Sequence, residues 1–235
     1  MGAWALFQRK YLWTTLVISA LVLVSSFMGL VVKATYARDT ASWAQQAKAQ
    51  DIADLVGICV LLASAYLASR DSVRGFQAWA GALLFLIYTF AIYSFASAFN
   101  SLFLLYVAVL GLSTYTFIGG VLLLDFEELR RLAPVGGRAR VPLGGFLVAL
   151  GLGFAAIWLS QDIPAMIGGT VPAAVSEAGL LTNPIHVLDL ALYLPAIIIS
   201  GLSLLRNRTL GHVFSFPLVS FAVLELLGIL LIFVV

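Results

Sequence analysis

Seven stretches of about 20 apolar residues dominate the sequence, each long enough to cross a hydrocarbon core of roughly 30 Å as a helix rising about 1.5 Å per residue. They run approximately over residues 11–32, 51–69, 75–97, 102–124, 143–160, 184–205 and 210–235. A soluble domain carries roughly 25% charged residues, whereas this chain is 10% charged and 62% hydrophobic, with a mean hydropathy of +1.06. A water-soluble fold of 235 residues has no interior large enough for that much apolar surface. A soluble enzyme, a disordered chain and a disulfide scaffold are therefore excluded, the last because Cys59 is the only cysteine. No segment alternates with the period of two that barrel strands require, so the spans are helical. The expectation is an all-α, polytopic transmembrane bundle of about seven helices forming one domain over residues 1–235.

Loop charges set the expected orientation, since Lys and Arg collect in short cytoplasmic loops. With the N-terminus inside, Arg9, Lys10, Arg70, Arg74, Arg130, Arg131, Arg138, Arg140, Arg206 and Arg208 are cytoplasmic. Only Lys33, Arg38 and Lys48 are then outside. The chain is thus expected to run N-in and C-out. The first apolar run exceeds the 7–15 residues of a signal-peptide core, so it is expected to be retained as a helix. The fifth is the shortest and glycine-rich (Gly144, Gly145, Gly151, Gly153), which points to close helix contact or a tilted, partly interfacial segment.

The connections carry their own signals. Trp43 and the helix-forming residues 44–49 are expected to lie along the membrane surface. The long connection 161–183 reads as a lid over the outer end of the bundle, with residues 173–178 forming one or two helical turns and Thr182-Asn183-Pro184 starting the next helix. Residues 125–131 continue the fourth helix into water, with Glu127 and Arg131 paired at i,i+4. Arg130, Arg131, Arg138 and Arg140 either set topology alone or also meet anionic lipid. The five tryptophans, Trp4, Trp13, Trp43, Trp79 and Trp158, mostly fall near the expected interfaces, where tryptophan belts occur. The net charge of +2 gives no reason to expect a nucleic-acid partner.

Ionisable groups inside a bilayer cost roughly 2.5–3.5 kcal/mol on insertion scales, which makes each one a functional candidate. Asn183, His186, Asp189 and Tyr193 are spaced three, three and four along the sixth span and so share a face. Asp51, Asp54 and Glu225 fall at comparable outer depth, as do Tyr88, Tyr93 and Asn100. These ten residues are expected to line an outward-facing polar pocket. Such a pocket suits a small solute, a cation or a proton, either bound or transported. Two other readings stay open: a buried polar cluster that only holds helices together in a structural or complex-subunit protein, with Asp51 and Asp54 capping the second helix, and an intramembrane enzyme. No catalytic residue and no cofactor is assigned, because neither Gly-x-Ser-x-Gly nor His-Glu-x-x-His occurs. His186 and Asp189 alone are too few for a tight zinc site, and no lysine is expected within a span, which argues against a retinal protein. Pro195 and Pro217 are expected to kink the last two helices, Pro195 just below the pocket.

The segment Asn183-Pro184-Ile185-His186-Val187-Leu188-Asp189-Leu190, with Tyr93, Asn100 and Tyr106 upstream and the turn over residues 206–211 downstream, resembles a group of uncharacterised bacterial multi-pass integral membrane proteins of about seven helices. That resemblance implies a bacterial inner-membrane location and no particular chemistry.

Overall fold

The computed structural model describes the backbone of residues 3–235 and the side chains of residues 11–235, so the side chains of Trp4, Arg9 and Lys10 lie outside the described residues. Every regular element among the described residues is helical. In chain order these are α1 (Ala3–Val31), α2 (Ala41–Ser69), α3 (Val73–Ala96), α4 (Phe103–Leu122), a short α5 (Phe126–Leu132), α6 (Gly137–Gly168), a short α7 (Ala173–Ala178), α8 (Pro184–Leu205) and α9 (Thr209–Leu231). Seven of the nine are long and apolar enough to cross a membrane, and the protein is a multi-pass membrane protein in contact with the lipid bilayer.

Helices α1 to α4 pack in a ring, with α1 closing on α4. Helix α9 lies against α2, α3 and α8, while α6 packs chiefly on α8. Burial follows that arrangement: 67% of the membrane-length window of α3 is buried, against 17% for α6. Helix α6 is therefore an outer arm whose remaining faces meet lipid. Glycines bring it close to α8. A methyl group at Gly144 would press on Leu205 and the Gly201 carbonyl, and one at Gly151 would press on Ile198. Gly145 and Gly153, on the other faces, have open space around them. Close backbone approach at small residues is the usual basis of helix packing in lipid.

Several boundaries differ from the sequence expectation, for one reason: apolar windows mark the part of a helix that suits lipid, not the ends of its hydrogen-bond ladder. The fifth span, expected to be the shortest, is a 32-residue helix. Helix α2 begins at Ala41, capped by Thr40, whose hydroxyl accepts from the Trp43 N–H at 3.2 Å. Residues 43–49 therefore extend α2 and do not lie flat on the surface. Trp43 and Ala47, one turn apart, face inward while Lys48 is exposed on a spanning helix. Asp51 and Asp54 are accordingly not caps: they stand about 15 and 20 Å into α2 at about 1.5 Å per residue.

The fourth helix does not continue into α5. Asp125 starts a separate turn by accepting from the Glu127 and Glu128 N–H groups. Arg131 pairs with Glu128 at 2.7 Å, not with Glu127, which instead accepts from the Thr209 hydroxyl at 2.6 Å. Arg130 donates to Thr209 and to the Asn207 carbonyl, so α5 is fastened onto the α8–α9 turn. Residues 173–178 form α7 as expected, closed by Gly179 at φ +69°. Trp79 is not interfacial but 1% exposed, donating to Thr15 on α1 at 2.9 Å.

The prolines of the last two helices alter the hydrogen-bond ladder in different ways. Ahead of Pro195 the chain makes one wide turn, Asp189–Tyr193, in which the Leu194 N–H reaches back to the Asp189 carbonyl. A wide turn of this kind rotates the residues beyond it relative to α-helical spacing. In α9, Pro217 has no N–H for the Val213 carbonyl. Gln77 of α3 supplies the donor instead, its amide reaching the Val213 and His212 carbonyls at 3.1 and 3.2 Å.

Candidate functional site

Because α6 leans on α8 and little else, a space of about 450 Å³ remains between α6 and the α2, α3 and α9 group. Its α6 wall is Phe146, Leu150, Phe154 and Trp158, a stripe at spacing four. Its polar groups come from three other helices and α8: Gln46 and Gln50 of α2, Tyr88, Thr89 and Tyr93 of α3, Asp189 of α8 and Glu225 of α9. No lysine, arginine or histidine lines it.

Asp189 points toward α6, where its Oδ2 accepts from the Trp158 indole N–H at 2.8 Å. The other face of that contact holds His186, whose ring stacks on Trp158 at 4.4 Å between centroids and 29° between planes. His186 Nδ1 in turn faces both Asp162 oxygens at 2.9 and 3.0 Å. His186 and Asp189 thus share a helix face but serve different spaces. Asp189 opens on the first cavity. His186, Asn183 and Asp162 line a second one of about 640 Å³, under α7 and the 170–182 connection.

Glu225 and Asp54 are the unusual groups. Glu225 Oε1 is buried without a hydrogen-bond partner, Asp54 is buried with only the Gln50 amide near its carboxylate, and Asp54 lies within electrostatic reach of Asp51 and Glu225, as Glu225 does of Asp189. Four carboxylates from three helices therefore form a row, Asp51, Asp54, Glu225 and Asp189. Among the described residues the ion pairs are Arg131 with Glu128 and His186 with Asp162, so no basic side chain is paired with any member of the row. Buried charges normally carry partners. A set that lacks them is a candidate for function.

The other expected pocket residues take separate places. Asp51 accepts from the Tyr36 hydroxyl at 2.8 Å and the Tyr93 hydroxyl at 3.1 Å, behind the cavity wall. Tyr36 sits in the α1–α2 connection, where burial, and then the neighbouring Asp51 carboxylate, hold its phenol well above the usual range, so it stays a donor. Asn183 caps α8 by accepting from the Ile185 and His186 N–H groups. Asn100 does the same for Leu102 at the approach to α4, and lines neither cavity. Tyr193, carried round by the wide turn, donates to the Leu84 carbonyl and stacks on Phe221 at 4.5 Å. It lies behind the first cavity, not on its surface. His212 is locked at the start of α9 between the Val135 N–H and Asn207.

Asp162 was not among the expected site residues, because the apolar window ends before it. The signal was present: Phe154, Trp158 and Asp162 continue the same spacing of four. Among the described residues no three His, Cys, Asp or Glu side chains converge as metal ligands. Compared with known proteins, the chain matches no family model, no curated protein and no solved structure.

Proposed function

We propose that this membrane protein binds a small solute bearing positive charge or several hydrogen-bond donors in the cavity between α6 and α9, as a carrier or a receptor-like binding module of a bacterial inner membrane. The observation that carries this reading is that Asp189 and Glu225 line one cavity with no basic residue on its walls. In a low-dielectric setting such a wall attracts cations and repels anions. Asp51 itself, saturated by two tyrosines, favours a structural role for that one carboxylate.

Reconstituted protein tests the site. Uptake or binding of small organic cations should fall at least tenfold in Asp189→Asn and in Glu225→Gln while both variants keep the elution profile of the parent chain. Unchanged uptake in the double variant would remove the cavity from the function.

The orientation supported by loop charge, N-in and C-out, puts the mouth of the second cavity outside the cell. A cysteine at Ser176 of α7, introduced after Cys59→Ser because Cys59 is exposed, should react with a membrane-impermeant maleimide added to intact cells. Reaction only after lysis would invert the topology.

A further inference from the structure

We infer that the ligand of the first cavity is a single-chain lipophilic amine that enters sideways from the bilayer between α6 and α9. The inference rests on the cationic reading of that cavity and adds the ligand class and the route. Three observations combine.

The mouth lies on the lipid-facing side. Four of the side chains that line the cavity are also strongly exposed: Phe146 (54%) on α6, and Val223 (61%), Leu226 (50%) and Ile229 (41%) on α9. Phe146, Val223 and Leu226 stand inside spanning helices, where exposure means contact with lipid and not with water, and Ile229 extends the same face into the last turn of α9. A ligand passing between them arrives from the hydrocarbon.

The lining changes character along its length. Gln46, Gln50, Asp189 and Glu225 cluster toward one end, while Phe146, Leu150, Ile197 and Val219 line the other. Asp189 lies about 8 Å inside the start of α8 and Glu225 about 9 Å inside the end of α9, so the two carboxylates share a depth. From Trp158, beside Asp189, the stripe of Phe154, Leu150 and Phe146 descends over about 18 Å, past the membrane centre. This is the polarity profile that a single-chain amphiphile fits: a head toward one interface and a tail directed inward.

The chemistry at the polar end selects the head. Glu225 Oε1 is buried and unpartnered, and it meets an acidic row, so an ammonium group completes it where a phosphate or carboxylate would be repelled. A cavity of about 450 Å³ sits near the lower end of the range for small-ligand pockets, roughly 300–1,000 Å³, and suits one chain. A two-chain phospholipid also carries a phosphate to the wrong wall.

The test uses the full chain in phosphatidylcholine nanodiscs with a tritiated dodecylamine bearing a diazirine in its chain. Photolabelling above empty nanodiscs should map to α6 and α9 near Phe146 and Val223. Butylamine should compete at least a hundredfold more weakly than dodecylamine, and dodecanol at least tenfold more weakly. Val223→Trp, which narrows the mouth from the lipid side, should cut labelling at least tenfold, with Phe146→Trp as the second variant if the first fails to fold; Glu225→Gln should do the same. If butylamine competes as well as dodecylamine and the tryptophan variants label normally, the lateral amphiphile is wrong and the cationic site stands. Equal competition by dodecanol with normal labelling of Glu225→Gln defeats recognition by the carboxylates, and with it both readings. Absence of labelling above empty nanodiscs overturns the amphiphile, and if small organic cations also fail to bind the reconstituted protein the cationic site falls with it.

Discussion

Replacing Gly29 with valine is expected to lower the stability of the bundle by about 3 kcal/mol. A side chain at Gly29 meets the Asp51 carboxylate and the Tyr36 hydroxyl directly. The Tyr36–Asp51 hydrogen bond runs through that space at 2.8 Å, and Asp51 also receives Tyr93 from α3. Valine therefore both overpacks the contact, at about 1–3 kcal/mol, and parts a buried polar pair, at about 1–3 kcal/mol for a hydroxyl left alone. Gly111, which has nothing within 4 Å of an added methyl, is the control. Gly111→Ala should be neutral or slightly stabilising, since glycine inside a helix costs about 0.5–1 kcal/mol relative to alanine. Thermal unfolding in detergent reports both. The pair also shows coupling: in an Asp51→Ala background the cost of valine at position 29 should shrink by at least 1 kcal/mol, because the group it strikes is gone. Equal costs in the two backgrounds would mean that α1 and α2 are not clamped at this point.

That clamp shows which parts of the molecule the sequence discloses. Seven spans, the α7 turns and the glycine contact of α6 with α8 follow from runs of apolar residues and from small residues at close spacing, which are local properties. The lengths of α2 and α6 do not, because a helix continues past the bilayer wherever caps and tertiary contacts satisfy its ends, as Thr40 does for α2. The candidate site divides in the same way. The shared face of His186 and Asp189 is a matter of spacing, yet which cavity each one faces depends on where α6 lies, and α6 carries the Trp158 that stands between them. Tyr193 is lost from the stripe because one wide turn, forced ahead of Pro195, changes the register. Asp162 is missed because the apolar window stops at Ser160, two residues short of a polar group that the helix carries onward.

The brace at Gln77 was equally invisible, since a lone glutamine in an apolar helix has no sequence partner, and it yields the last expected result. Pro217 leaves the Val213 carbonyl without its helical donor, and Gln77, 1% exposed, donates to it and to His212 across the α3–α9 contact. Arg74 holds the amide from the other side, its guanidinium donating to Gln77 Oε1 at 2.9 Å. In lipid a stranded carbonyl finds no water, so Gln77→Met, which keeps the volume and removes the donor, should cost about 2 kcal/mol. Pro217→Ala restores an N–H at the right place. In that background the carbonyl bonds within α9, and the cost of Gln77→Met should fall below about 1 kcal/mol, a coupling of at least 1 kcal/mol by double-mutant cycle. Strict additivity would show that Gln77 packs against α9 without repairing it. Glu225 lies two turns beyond Pro217 on the same helix, so the direction of α9 after the proline fixes where that carboxylate meets Asp189. Gln77→Met should accordingly weaken cation binding several-fold although residue 77 lines neither cavity, and Pro217→Ala should recover part of that loss alongside the stability.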